Sequence, residues 1–160
     1  GNPVFSKVKQ QLSRVTRLTG IDGKAKASKS LGNAILLSDS DDMIKEKVMK
    51  MYTDPEHTSI DLPGKIEGNV VFVYLDAFDE NKEKVEELKQ KYRAGGLGDV
   101  VLKNYFSEVL ISMITPIRNK RESLSDQEVM DILKKGTEKT RIVAKQTMQE
   151  VKQAMKINYF

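Results

Sequence analysis

The chain has 160 residues, 39 % of them hydrophobic, 6 % aromatic and 31 % charged, which suffices for one domain or one and part of another, around an aliphatic and methionine-rich core. Disorder along the whole length is excluded by that composition. The absence of cysteine excludes disulfides and thiolate chemistry, and a single histidine, His57, excludes a multi-histidine metal site and any Ser-His-Asp triad that does not run through it.

The net charge of +4 is unevenly placed. Residues 1–30 hold seven Lys/Arg against one Asp, residues 31–102 nine basic against fifteen acidic, and residues 103–160 eleven basic against seven acidic. Two basic ends flanking an acidic middle suit two separate anionic ligands, with chance clustering on a lysine-rich surface as the plain alternative. With no apolar run near 18 residues and no signal-peptide core, the composition reads as a cytosolic, mainly helical protein without a membrane span.

The first twenty residues carry conflicting patterns. Val4, Val8, Leu12, Val15 and Leu18 fall at helical spacing, while Ser13, Thr16 and Thr19 alternate with apolar residues as in a strand, so the element type stays open. Gly20 to Ser30, with two glycines, four small residues and three lysines, reads as a mobile loop. Leu31 to Leu37 reads as a short apolar turn or helix. Ser38, Asp39 and Ser40 then offer N-caps to a helix with Met43, Ile44, Val48, Met51 and Tyr52 on one side. Asp39, Asp41 and Asp42 at its head are read as complements to the helix dipole rather than a metal cluster.

A loop from Thr53 to Glu67 follows. The run Val70-Val71-Phe72-Val73-Tyr74 has strand propensity but no partner strand, and a buried helix capped by Asn69 competes with it. Asn81 to Arg93 predicts a helix with Val85, Leu88 and Tyr92 inward, ended by Gly95-Gly96-Leu97-Gly98, with Asp99 capping the next. That next helix has the clearest periodicity, from Leu102 through Tyr105, Phe106, Val109, Leu110, Met113 and Ile114 to Ile117, with Pro116 placed to kink or shorten it. Ser125 and Glu128 form a capping box opening a helix that is expected to stop at Gly136. A last helix from Thr137 would bury Ile142, Val143, Thr147, Met148, Val151 and Met155.

The chemistry-bearing stretch is Asp22 to Asn33, where three lysines alternate with small residues. Ammonium groups on such a loop can follow the charge of a triphosphate as it develops, although composition alone favours a solvated basic loop. The spacing of a phosphate-binding P-loop is absent. Lys26-Ala27-Ser28-Lys29-Ser30 resembles the Lys-Met-Ser-Lys-Ser loop of class I aminoacyl-tRNA synthetases. Further matches follow in order: Leu31-Gly32-Asn33-Ala34-Ile35, Met51-Tyr52-Thr53-Asp54-Pro55, Pro63-Gly64, Glu67 to Phe78, Tyr92 to Asp99, and Pro116 to Arg121. Together they resemble the C-terminal half of bacterial-type tryptophanyl-tRNA synthetase, over roughly residues 15–160.

The resemblance implies a mainly α protein, in which residues 1–38 form the loop-rich edge of a Rossmann catalytic domain and residues 39–160 a helical-bundle, anticodon-binding domain. It implies part of an ATP-dependent tryptophan–tRNA ligase, inactive by itself, because nothing here matches the preceding Rossmann half. Lys29 would bind the departing pyrophosphate and Lys26 support it, while Ala27, Ser28 and Ser30 complete the ATP loop. Ala27 departs from the family's usual Met, which removes some apolar contact without disturbing the lysines. ATP is a substrate with Mg2+ carried on it, and no cofactor is bound permanently. The implied partners are tRNA(Trp), tryptophan and ATP, with Lys103, Arg118, Lys120, Arg121 and Arg141 as candidates to meet tRNA. A solvated surface or internal ties to acidic residues are the plain alternatives for these side chains. The full-length enzyme would be a cytoplasmic homodimer and this part a monomer. Another reading is a stand-alone, non-catalytic RNA-binding helical module.

Overall fold

The computed structural model describes residues 3–13, 15–157 and 159. Among them are five helices: α1 (Asp41–Met49), α2 (Val70–Phe78), α3 (Lys82–Ala94), α4 (Asp99–Glu122) and α5 (Asp126–Ala154). The only β feature among the described residues is one isolated antiparallel bridge, Thr19 to Lys26. The chain divides into two compact units, Leu12–Lys120 and Gly1–Gln11 with Arg121–Phe160. The step expected at residue 38/39 lies inside the first unit.

Leu12–Lys120 has a continuous aliphatic and aromatic core. α1 starts where Ser40 accepts a hydrogen bond from the Met43 amide, and it buries Ile44 and Val48, with Met51 just beyond its end. Met43 and Tyr52, expected on that inner side, are exposed. The strand-prone run is helical. Asn69 caps α2 by accepting from the Val71 amide, and Val70, Val71, Phe72, Tyr74 and Leu75 are all buried. A nine-residue segment with no unpaired strand beside it satisfies its backbone internally as a helix, and burial on nearly every side overrides β-branched propensity.

α2 and α3 pack together. α3 is capped by Asn81 and presents Val85, Leu88 and Tyr92 inward. α4 buries Leu102, Phe106, Leu110 and Ile114 at successive i+4 positions, and it continues through Pro116 to Glu122 without stopping. By length and composition α4 could cross a membrane, yet that i+4 stripe lies in the core of its unit. Asp99 is its first helical residue rather than its cap, since the Leu102 amide donates to the Gly98 carbonyl. Leu31 to Leu37 forms turns with no helix.

In the second unit the Ser125–Glu128 capping box opens α5 as expected, with both reciprocal hydrogen bonds in place. Gly136 does not end that helix, which runs 29 residues without interruption. None of its residues is buried, and Ile142 is 70 % exposed. The burial expected for Ile142, Val143, Thr147, Met148, Val151 and Met155 is therefore absent: Thr147 and Val151 are half-covered and the other four exposed.

Candidate functional site

The stretch expected to be a mobile loop holds two hydrogen-bonded turns. In the first, the Gly20 amide donates to the Ala25 carbonyl at 2.7 Å, and the Ala27 amide donates to the Leu18 carbonyl at 3.0 Å. In the second, the Gly32 amide donates to the Lys29 carbonyl at 3.2 Å, and Gly32 takes a left-handed φ of 67° that a side chain would strain. The double turn is anchored to the helical core at two points. Tyr74 on α2 donates its hydroxyl to the Thr19 carbonyl at 2.7 Å, and the Tyr52 amide donates to the Ile21 carbonyl at 2.8 Å.

Lys26, Lys29 and Ser30 are exposed at the surface of this structure, and Ala27 and Ser28 are half-buried. The hydroxyls of Ser28 and Ser30 lie 2.9 Å apart and share a hydrogen bond. Among the described residues neither lysine ammonium has a hydrogen-bond or ion-pair partner. The structure thus brings together all five residues of the expected ATP loop and leaves their two cations facing water.

Two residues to which the sequence assigned no role hold that arrangement. Asn33 is 5 % exposed, and its carboxamide sits inside the double turn. Its Oδ1 accepts the Ser28 amide at 2.9 Å, while Nδ2 donates to the Asp22 carboxylate at 3.2 Å and to the Lys26 carbonyl at 3.4 Å. Asp22 also accepts the Lys24 amide at 3.2 Å. That amide and, to a smaller extent, Asn33 hold the Asp22 carboxyl below its usual range. A signal was present in the sequence, since a polar residue with both donor and acceptor follows a Gly-containing turn. Its partners lie five to eleven positions away, beyond the reach of any local pattern.

The basic residues expected to face RNA divide. Lys103 is buried, and its ammonium donates to the carbonyl of Met49, the last residue of α1, at 3.1 Å. There it satisfies an end carbonyl and complements the helix dipole, and burial pulls its pKa down. Arg118 donates to the Asp39 carbonyl and to Asp41 Oδ1, each at 2.6 Å. Both side chains serve contacts inside the fold, because α4 turns them toward α1 rather than outward. Lys120, Arg121 and Arg141 are exposed.

The acidic residues around the core and the single histidine make structural contacts. Asp39 pairs with Lys47 at 2.6 Å, and Asp41 with Arg118. Asp79 accepts the Tyr105 hydroxyl at 2.7 Å, and Asp76 pairs with Lys89 at 2.8 Å. His57 is buried against the Tyr92 ring, with Nδ1 3.5 Å from an Asp99 carboxylate that already accepts from Tyr92 and Thr53.

Comparison with known proteins decides the family. The family model described as tRNA synthetases class I (W and Y) matches residues 2–115. The chain belongs to the class I tRNA synthetases (W and Y). Among relatives of this synthetase family, the tryptophan–tRNA ligase of Clostridium longisporum is 51 % identical over 148 residues, covering 91 % of this chain and 43 % of the relative. That of Lactococcus lactis is 53 % identical over 148 residues, 90 % of this chain and 43 % of the relative. Among solved structures, the tryptophanyl-tRNA synthetase of Campylobacter jejuni complexed with ADP and tryptophan superposes with a TM-score of 0.73 at 28 % identity, over 89 % of this chain and 44 % of that one. The tyrosyl-tRNA synthetase of Aeropyrum pernix reaches a TM-score of 0.53, also at 28 % identity, over 63 % of this chain and 32 % of that one. The chain thus spans less than half the length of the curated relatives it matches.

Proposed function

We propose that this chain is the C-terminal part of an ATP-dependent tryptophan–tRNA ligase, supplying the loop that acts on ATP and helices that meet tRNA(Trp). One observation carries the reading: Lys26-Ala27-Ser28-Lys29-Ser30 lies on a braced, exposed double turn in a chain half identical to ligases of that name. The preference for tryptophan over tyrosine rests on those relatives and on the wider structural match to the tryptophanyl enzyme.

In the activation step a tryptophan carboxylate oxygen bonds to the α-phosphorus of ATP while the bond from that phosphorus to its β-bridging oxygen breaks. Negative charge grows on the departing pyrophosphate. The ammonium groups of Lys29 and Lys26 would meet it there, with the Ser28 and Ser30 hydroxyls as further donors, and Mg2+ arrives on the nucleotide. A cation aimed at charge that develops only in the transition state contributes about 3–4 kcal/mol and acts on kcat. Ala27 gives up apolar contact that the family's Met would make and leaves the cations in place.

The second step transfers tryptophan to tRNA. Lys120, Arg121 and Arg141 are the exposed cations for phosphate and base contact, and Lys103 and Arg118 act through the fold instead. Residues 1–38 would then be the edge of the catalytic domain and residues 39–160 the anticodon-binding part. By the same resemblance the complete enzyme is a cytoplasmic homodimer, joined largely through the half that the relatives carry and this chain does not.

The test joins this chain to that N-terminal half and measures tryptophan-dependent ATP–pyrophosphate exchange. Lys29→Ala is expected to lower kcat about 100-fold or more with a smaller change in KM for ATP. A loss confined to ATP affinity contradicts the role given to Lys29. Absence of exchange by the wild-type joined protein, with tRNA binding retained, favours an RNA-binding module without catalysis.

A further inference from the structure

Asn33 lies outside the five-residue lysine-serine motif, yet more hydrogen bonds of the double turn converge on it than on any motif residue. Its side chain reaches three separate points of the segment: the Ser28 amide, the Lys26 carbonyl and the Asp22 carboxylate. Its own carbonyl accepts the Ile21 amide at 2.9 Å, tying the exit of the turn to its entry. The Lys26 carbonyl and the Ser28 amide flank Ala27, so one carboxamide fixes the backbone on both sides of the motif's centre. Lys26 is held directly, and Lys29 follows Ser28 by one residue.

Only a carboxamide fits these partners. Ser28 requires an acceptor, whereas Lys26 and Asp22 require donors, and among side chains of this length only Asn offers both. The space is shaped for it as well. A Cβ on Gly20 would stand 2.2 Å from Asn33 Nδ2 and 2.6 Å from its Cγ, so the absence of a side chain at Gly20 is what admits the amide. Aspartate at position 33 would place a second carboxylate against Asp22 and lose both donated bonds.

We infer that Asn33 is a positioning residue for pyrophosphate departure, orienting the backbone from which Lys26 and Lys29 project. The inference rests on the ATP-loop reading proposed above. Asn33 touches no reacting atom and acts through the lysines. A misplacement near 1 Å of a group that meets the transition state costs on the order of 100-fold in rate. Removal of the amide is therefore expected to appear in kcat, with KM for ATP moving less.

The experiment uses the full-length enzyme and tryptophan-dependent pyrophosphate exchange, with Asn33→Ala and Lys29→Ala made singly, and Lys26→Ala with Lys29→Ala made with and without Asn33→Ala. Asn33→Ala is expected to lower kcat about 10- to 100-fold. In a background carrying both Lys26→Ala and Lys29→Ala the same change is expected to cost less than about threefold, because residues that act as a unit are non-additive. A full, multiplicative loss in that background overturns the inference, since it places the action of Asn33 elsewhere. Unchanged kcat for Asn33→Ala overturns it too, and leaves the ATP-loop reading standing provided Lys29→Ala is slow. Unchanged kcat for Lys29→Ala instead overturns that reading and the inference together. Should Asn33→Ala fail to fold, Asn33→Asp, which keeps the shape and loses both donated bonds, takes its place in the same cycle, and the same two outcomes decide.

Discussion

Arg118 Nη2 stands 2.6 Å from Asp41 Oδ1, and the same guanidinium donates through Nη1 to the Asp39 carbonyl. This fork bridges α4 to the start of α1, and Asp39 itself accepts from Lys47 and from the Leu36 amide. The exit of the double turn, the head of α1 and the end of α4 thereby share one set of charged hydrogen bonds. Arg118 is an internal tie within Leu12–Lys120.

Arg118 and Arg121 are consequently expected to separate in experiment. Arg118→Ala should destabilise the chain by about 1–2 kcal/mol, kept modest because Asp41 is partly hydrated, as read from urea unfolding midpoints. Arg121→Ala, on an exposed side chain, should leave stability within about 0.5 kcal/mol. In tRNA binding at several salt concentrations it should instead weaken affinity and reduce the salt slope by about one. The opposite pattern, with Arg118 setting the slope and Arg121 the stability, refutes both assignments.

What the sequence could reveal was set by the range of the interactions. The caps Ser40, Asn69 and Ser125 act on amides two or three residues away, and each was readable as a local pattern. The α4 stripe was readable because its i+4 repeat is long. Val70 to Phe78 was ambiguous because its side chains favour a strand and only burial makes it a helix. The apolar repeat of α5 was visible, but a repeat does not say what covers it. The five residues of the candidate loop were legible as a motif, whereas Asn33 and the inward turns of Lys103 and Arg118 depend on partners 5 to 79 positions away.

The passage of α5 through Gly136 gives a second expectation. Nothing lies within 4 Å of a Cβ built at that position, and Gly136 is exposed in mid-helix, where its carbonyl accepts the Thr140 hydroxyl at 2.8 Å. Alanine there removes backbone freedom from the unfolded chain without a clash. Gly136→Ala should raise α5 stability by about 0.5–1 kcal/mol and increase far-ultraviolet helicity, while Gly136→Pro should lower both. If the helix ended at Gly136, alanine would bring no gain, and the uninterrupted α5 would be refuted.

Alkaline pH should weaken the fold through the phenols of Tyr74 and Tyr92, which are buried, and of Tyr105, which is half-buried. Burial, followed by the hydrogen bond to Asp79, pushes Tyr105 up to about 12. Burial and then Asp99 push Tyr92 up further, and burial alone raises Tyr74. An unfolded tyrosine loses its proton near pH 10, so above that value the unfolded chain binds fewer protons than the folded one. The stabilisation from these neutral phenols is complete below about pH 10 and is lost as pH rises through their folded values. Urea midpoints should therefore fall between pH 9 and pH 11. Tyr105→Phe should start about 1 kcal/mol less stable at pH 9, from the lost bond to Asp79, and fall less steeply thereafter. Equal slopes for the variant and the parent chain would show that Tyr105 does not drive the alkaline loss.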